Sequence, residues 1–388
     1  MKYCKISEFT TVVTGGTPST AKTEFWDGDI PWVNSGALND GDIIKPSRYI
    51  TKLGLESSST KMMPSDTVLI ALTGTTTGQA AYLRISACAN QSVTGILPSE
   101  KHFPRYLYHY LRTRKDKIQA DAFGGAQPHI NQQYVKDLII PLPPLSEQKR
   151  ISEILDKADS IRKKRAETLA LPDKLIRSTF IEMFGDPRTN PKKWKIKKIS
   201  DLITRIESGK SLASPNESTE NCFRVLKVSA VTWGKYDPSE SKPLPANYNP
   251  PNERHIVQVG DFLFTRANTS ELVGAVTIVR ETPLKILLPD KIWRICWNEL
   301  VTPEFACYLL RTPEVRRLMS DDASGSSGSM KNISQQKLLN ISVYLPDIEY
   351  QNEFSSFVLK CESLQKELES SSLEAEILFK SLQTQFFQ

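Results

Sequence analysis

Leu142-Pro143-Pro144-Leu145-Ser146-Glu147-Gln148 returns later in the sequence as Leu345-Pro346-Asp347-Ile348-Glu349-Tyr350-Gln351, and a long helical pattern follows each occurrence. The offset of about 203 residues also aligns Ile130-Asn131-Gln132-Gln133 with Ile333-Ser334-Gln335-Gln336 without a gap. Further upstream the offset drifts. Phe103-Pro104 to Thr113 resembles Thr302-Pro303 to Thr312, Pro64 to Leu69 resembles Val259 to Phe264, and Lys5-Ile6-Ser7-Glu8 has an echo in Lys198-Ile199-Ser200-Asp201. The chain is one module written twice, with a shared frame and loops that differ in length and composition. Similar scaffolds with different loops imply two related sites that read different things.

At 388 residues there is room for two or three cores, and the repeat divides the chain into halves of domain size. A hydrophobic content of 39% and a charged content of 24% are those of an ordinary soluble protein. Cys4, Cys88, Cys222, Cys296, Cys307 and Cys361 are scattered, with no Cys-x-x-Cys pair, and read as reduced packing residues of a cytoplasmic protein. No apolar run reaches the roughly 18 residues of a membrane helix, and no signal-peptide pattern opens the sequence. The net charge is +6 although the last helical tract is acidic, so the remainder is more basic. Lys192, Lys193, Lys195, Lys197 and Lys198 surround Trp194, a run that reads either as a solvated face or as a phosphate-binding one.

In the second helical tract, Phe354, Phe357, Cys361, Leu364, Leu368, Ser371, Ala375, Leu378 and Leu382 alternate steps of three and four, a heptad seam. The first tract begins the same way with Ile151, Ile154, Ala158 and Ile161, then weakens at Arg165 and Thr168. Pro172 should kink or interrupt it. A continuous helix of about 35 to 40 residues spans roughly 55 to 60 Å, far more than is needed to cover one face of a small domain. Two such rods with matching stripes are expected to pack antiparallel as a coiled-coil spacer.

Upstream of each rod, short apolar stretches alternate with turn chemistry. Ile30–Val33, Thr67–Leu72 and Ala80–Ile85 read as strands in the first copy, and Phe223–Val228, Phe262–Thr265 and Gly274–Val279 in the second. Helices are expected at Pro104–Arg114 and Pro303–Leu318. Each unit is therefore mostly β with small helices, an α+β domain. Thr73-Gly74-Thr75-Thr76-Thr77-Gly78-Gln79 and Thr265-Arg266-Ala267-Asn268-Thr269-Ser270 follow equivalent strands. Hydroxyls, amides and guanidinium groups of this kind bond to base edges and phosphates, although exposed loops carry them in any case. The glycine-rich tracts Gly124–His129 and Ser324–Lys331 precede the Ile-x-Gln-Gln segments, and would allow close approach to a ligand or serve as mobile connectors.

Catalytic patterns are missing. Asn249-Pro250-Pro251-Asn252 lacks the aromatic that an amino methyltransferase stacks on a flipped base, and no glycine-rich cofactor turn accompanies it. The threonine loop lacks the Gly-Lys-Ser/Thr ending of a P-loop, and His102, His109, His129 and His255 form no metal-binding cluster in sequence.

Two variable modules, each followed by a Pro-Pro-Leu-x-Glu-Gln type lead into a long helix, resemble the specificity subunit of type I restriction-modification enzymes. The likeness spans nearly the whole chain, carried by Leu142–Ile151 and Phe184-Gly185-Asp186-Pro187, with Gly15-Gly16-Thr17-Pro18-Ser19 and Ala89-Asn90-Gln91 in support. Asp347 for Pro144 and Tyr350 for Glu147 depart from the pattern in the second copy. The resemblance implies target recognition domains at 1–144 and 186–346 and spacer helices at 145–185 and 347–388, related by a pseudo-twofold repeat. Each domain would read one half of a bipartite double-stranded DNA target, and the helices would set the gap. Two methyltransferase subunits using S-adenosylmethionine would dock on the helices, and motor-nuclease subunits using ATP and Mg would join them. The chain itself would be non-catalytic and bind no cofactor. Candidate DNA contacts in the first unit are Thr17, Ser35, Thr73, Thr75, Thr76, Thr77, Gln79, Asn90, Gln91, Gln127 and His129. In the second they are Lys210, Ser229, Arg266, Asn268, Thr269, Ser270, Lys291, Ser327 and Lys331. Alternatives are a specificity chain of a related type II system with a fused methyltransferase-nuclease partner, a stand-alone DNA enzyme, and a protein-interaction scaffold.

Overall fold

Both copies of the repeated tract end on a glutamine, and both glutamines are buried. The Gln148 side chain accepts a hydrogen bond from the Phe103 backbone N–H at 2.8 Å and donates to the Pro143 carbonyl at 2.8 Å. Gln351 accepts from the Thr302 N–H at 3.0 Å and donates to Pro346 at 2.8 Å and Leu300 at 3.1 Å. Phe103 and Thr302 each precede a proline that opens a helix. The first turn of each long helix is therefore clamped to the helix of its own globular domain.

The computed structural model describes residues 2–124, 128–210, 223–232, 234–244, 253–269, 271–282, 285–321 and 331–387. It divides into two units, Met1–Glu167 with Glu369–Gln388, and Thr168–Leu368.

The first unit contains strands β1 (Tyr3–Lys5), β2 (Val12–Thr14), β3 (Trp26–Val33), β4 (Asp42–Ile43), β5 (Arg48–Ile50), β6 (Val68–Ala71), β7 (Ala80–Leu83), β8 (Cys88–Ala89), β9 (Val93–Ile96) and β10 (Ile139–Pro141). Its helices are α1 (Ile6–Phe9), α2 (Lys52–Glu56), α3 (Pro104–Thr113), α4 (Lys115–Asp121), α5 (Gln132–Asp137) and α6 (Leu145–Thr168). A five-stranded sheet runs β2-β9-β6-β7-β4, beside a three-stranded sheet β5-β3-β8 and the pair β1-β10. The continuous apolar run of β6 follows from burial of both faces. Val68 and Ile70 join Tyr106, Tyr108 and Leu111 of α3 in one cluster, while Leu69 and Ala71 join Val33 and Leu38 in another.

The second unit repeats this plan. Its helices are α7 (Leu171–Phe184), α8 (Ser229–Thr232), α9 (Pro303–Arg311), α10 (Pro313–Asp321), α11 (Gln335–Asn340) and the first part of α12 (Ile348–Phe387). Its strands are β11 (Lys195–Lys198), β12 (Ile203–Ser208), β13 (Arg224–Leu226), β14 (Ser241–Pro243), β15 (Phe262–Thr265), β16 (Ala267–Asn268), β17 (Val276–Ile278), β18 (Ile286–Leu287), β19 (Ile292–Trp297), β20 (Lys331–Asn332) and β21 (Ser342–Leu345). The order β12-β19-β15-β17 matches β2-β9-β6-β7 strand for strand, β14-β13-β18 matches β5-β3-β8, and β11-β21 matches β1-β10. Strands form where the sequence predicts them. The one helix expected over Pro303–Leu318 is two, because Pro313 has no N–H to continue the ladder and instead opens α10.

Within the first unit, α6 packs antiparallel to the last part of α12. Arg150 lies over the Phe386 ring, Arg162 reaches Glu376 at 3.1 Å, and Arg165 donates to the Ser371 carbonyl at 2.7 Å. Within the second unit, Phe180 and Phe184 of α7 pack on Phe354 of α12. The break between α6 and α7 falls at Leu169-Ala170, and Pro172 lies in the first turn of α7, where a missing N–H costs no helical bond.

The buried stripe of α12 differs from the predicted seam. Phe354, Cys361 and Ala375 are buried as expected, but Leu364 is 47% exposed and Leu378 56%, whereas Val358 and Phe379 are buried. On α6, Ile151 and Ala158 are buried, Ile154 is half-buried, and Ile161 is 50% exposed, with Leu155 in the core instead. Phe357 is a partly buried neighbour of the core and Leu368 is half-buried. In each unit the buried glutamine lies on the observed stripe, Gln148 with Ile151, Ser152 and Leu155, and Gln351 with Phe354 and Val358.

Two outcomes test these contacts. Gln148→Ala leaves the half-buried Phe103 N–H without its acceptor and should cost about 1–3 kcal/mol in denaturant unfolding; an unchanged midpoint would refute the clamp. Buried His102, bonded through Nδ1 to Ser99 at 2.9 Å, has its pKa pushed by burial from 6.5 down to about 4. It stays neutral in the fold and takes up a proton when unfolded, so its stabilisation is complete above pH 6.5 and is lost as pH falls towards about 4. His102→Leu should flatten that part of a stability–pH profile.

Candidate nucleic-acid interface

Four segments of the first unit meet at one end of its five-stranded sheet. β6 runs out through Leu72 to Thr73, and the Leu72 N–H donates to the Ser92 carbonyl at 2.8 Å, placing Asn90-Gln91-Ser92 alongside. The Leu72 carbonyl accepts from Ile130 N–H at 2.9 Å, and Thr73 bridges His129, which in turn bridges Phe123. β2 ends at Thr14 opposite Thr94, so Gly15-Gly16-Thr17 leaves from the same end. Gly15 is required there, because a Cβ would collide with the carbonyl oxygens of Ala89 and Asn90.

These segments expose uncharged polar groups. Thr73, Thr75 and Gln91 are exposed, and Thr17, Thr76, Asn90 and His129 are half-buried. The Thr17 hydroxyl donates to the Gln91 side chain, and the Asn90 side-chain oxygen is buried with no hydrogen-bond partner among the described residues. Sequence reasoning missed Phe123, which is 51% exposed and packs edge-on against His129 with centroids 4.2 Å apart; an aromatic beside the glycine-rich tract is the signal that marks it. Ser35 is half-buried, two residues beyond Val33, whose carbonyl accepts from Asn90 N–H.

Two expected contacts are instead internal. Thr77 is fully buried, its hydroxyl 2.8 Å from the Gly74 carbonyl and 2.9 Å from that of Pro128. It pins the loop rather than facing solvent. In the orientation that satisfies its neighbours, the Gln79 amide donates to Leu38 at 2.7 Å and accepts from Lys115 at 3.2 Å, a tie within the unit.

The second unit gathers the equivalent segments. Arg266 N–H donates to the Lys291 carbonyl at 3.0 Å, and its carbonyl accepts from Ile333 N–H at 2.9 Å. β16 pairs with β20, setting Asn268 opposite Lys331. Gly209 and Lys210 leave β12 at the same end, with Gly209 N–H bonded to Pro289 at 3.2 Å. Lys210 and Thr269 are exposed, and Asn268, Lys291 and Lys331 half-buried. The Arg266 guanidinium lies 5.9 Å from the centre of the Trp293 ring. The Ser229 hydroxyl is held by the Glu240 carboxylate. Lys195, Lys197 and Lys198 lie exposed along β11, which precedes the far end of β12. Gln127, Ser270, Ser327 and Asn249-Pro250-Pro251-Asn252 lie outside the described residues.

His102 and His109 are core residues, His102 against the Phe9 ring and His109 bonded to Asp156 at 2.8 Å. Among the described residues no His, Cys, Asp and Glu side chains gather as a metal-binding group. What both ends offer is donors and acceptors suited to base edges and phosphates.

Two copies of one α+β module with differing polar ends define a duplicated recognition protein. Residues 1–171 match the family model described as Type I restriction modification DNA specificity domain. The chain is 27% identical over 372 residues to the EcoKI specificity subunit of Escherichia coli (strain K12), a match covering 90% of this chain and 79% of that protein. It is 32% identical over 161 residues to the EcoR124I/EcoR124II specificity subunit of Escherichia coli, spanning 40% of each. In fold it is similar to the type I restriction-modification S subunit from M. genitalium, with a TM-score of 0.61 at 14% identity over 100% of this chain and 96% of that one. A chain from a structure of type I R-M complex assembly gives 0.59 at 17% identity, over 99% of this chain and 96% of that one. In sequence and in fold the chain resembles the type I specificity subunits.

Thr77→Val should lower the stability of the first unit by about 1–3 kcal/mol, whereas Thr75→Ala at the exposed tip should stay within about 0.5 kcal/mol of the parent. Thermal unfolding separates the two; equal effects would remove the distinction between pin and tip.

Proposed function

We infer that the chain is the non-catalytic DNA sequence-specificity subunit of a type I restriction-modification complex, each unit reading one half of a bipartite, asymmetric target. The observation that carries this reading is the repeat itself: matching strands deliver matching segments to one sheet end, and the side chains there differ. Residues 1–144 and 186–346 are the reading modules, and 145–185 and 347–388 the helices that set the gap between half-sites. Thr73, Thr75, Thr76, Asn90, Gln91 and His129 contact DNA in the first unit, and Lys210, Arg266, Asn268, Lys291 and Lys331 in the second.

Two methyltransferase subunits dock on the helices. Support comes from the apolar side chains these helices leave exposed, among them Ile161, Leu364 and Leu378, and from a shallow groove lined by Ala158, Ile161, Arg165, Glu374, Ala375 and Leu378. Motor-nuclease subunits complete the assembly. S-adenosylmethionine, ATP and Mg belong to those partners. Among the described residues no helix is long and apolar enough to cross a membrane, in keeping with work on cytoplasmic DNA. Nothing favours the related type II arrangement.

Mapping methylated adenines by single-molecule sequencing, in cells carrying this chain with its methyltransferase, should reveal a two-part motif with a fixed gap. Exchanging residues 1–144 for those of a relative should change one half alone. A continuous motif, or changes in both halves, would overturn the reading.

A further inference from the structure

The ladders allow the two sheet ends to be compared residue by residue. Thr14 faces Thr94 in the first unit and Ser208 faces Trp293 in the second, so Gly15-Gly16 corresponds to Gly209-Lys210. Ala71 faces Val93 as Thr265 faces Ile292, so Leu72 corresponds to Arg266 and Ser92 to Lys291. Ile130 and Ile333 donate to the carbonyls of Leu72 and Arg266, each at 2.9 Å, so Pro128 corresponds to Lys331. Gly16, Leu72, Ser92 and Pro128 are uncharged; their counterparts Lys210, Arg266, Lys291 and Lys331 are all cations.

No carboxylate forms an ion pair with these cations among the described residues. Among the described residues Lys331 reaches only the Ser320 carbonyl, at 3.4 Å, and the buried Arg266 Nε has no hydrogen-bond partner. Asp290, in the place of Gln91, is the acidic group next to them in sequence, and Asp321 is engaged by Arg317 at 3.7 Å. Four like charges with a single carboxylate beside them and no ion pair repel one another unless an anionic surface lies against them. Equivalent backbone carrying neutral side chains in one unit and cations in the other indicates a difference in how binding energy is obtained.

We propose that the two units hold their half-sites by different physics: the second grips through phosphates and supplies most of the salt-dependent affinity, and the first reads with uncharged contacts. The inference rests on the DNA-specificity reading above. Each phosphate neutralised contributes a slope of about −0.9 to log K against log salt.

The test uses the full chain in its complex with methyltransferase subunits, and a duplex carrying the mapped motif. Combining Lys210→Gln, Lys291→Gln and Lys331→Gln should reduce the magnitude of the slope by up to about 2.7, with the unfolding temperature unchanged. Ser92→Lys, which adds a cation at the corresponding place in the first unit, should increase it by about 0.9. A triple variant that binds with the parental slope overturns the inference, as does a Ser92→Lys variant that folds and leaves the slope unaltered. Failure of the parent complex to bind the duplex overturns instead the functional reading on which the inference stands.

Discussion

The arrangement depends on one pair of hydrogen-bonded side chains, the amides of Gln148 and Gln351. Each satisfies a half-buried backbone N–H at the start of α3 or α9 and returns a bond to the proline-bearing tract from which its own helix springs. A buried amide left unbonded is costly, so the first turn has one acceptable rotation. Successive residues of a helix lie about 100° apart, so within the second unit the rotation that buries Gln351 also turns Phe354 and Val358 inward and leaves Leu364 exposed.

Conserving the frame while varying the ends is possible because the frame is held by backbone. Ladder bonds and the carbonyls that receive Leu72 or Arg266 do not depend on side-chain identity. Side chains at these positions can therefore change from apolar to cationic without altering the sheet order. The exceptions are residues that shape the turn. Gly15 and Gly209 give way to the neighbouring carbonyls, and Thr77 ties its loop to Pro128.

Much of this was legible in the amino-acid order. The duplicated tract, the apolar strands and the proline-opened helices are local signals, and each marks an element observed in the structure. The phase of the helical stripe was not legible, because heptad spacing alone fits two adjacent columns, and a polar residue such as Gln351 does not announce in sequence that it will be buried on one of them. Thr77 reads like Thr75 in sequence; their difference lies in which hydroxyl meets the carbonyl of Pro128, far away in the chain. The four cations of the second unit are visible individually, but their common location emerges only once strand register replaces a drifting sequence offset.

The last turns of α12 belong to the first unit. Phe387 packs against Tyr106 and Tyr110, and its carbonyl accepts from Arg114 at 3.1 Å. A ribosome makes the chain from the other end, so completion reverses the order of synthesis. Thr168–Leu368 has all of its residues once Leu368 emerges, whereas the unit begun first must wait for Phe387. Until then the apolar surface around Tyr106 and Tyr110 remains uncovered by Phe387 on the nascent chain, and a message truncated between Leu368 and Phe387 yields a second unit with all of its residues and a first unit without its last ones.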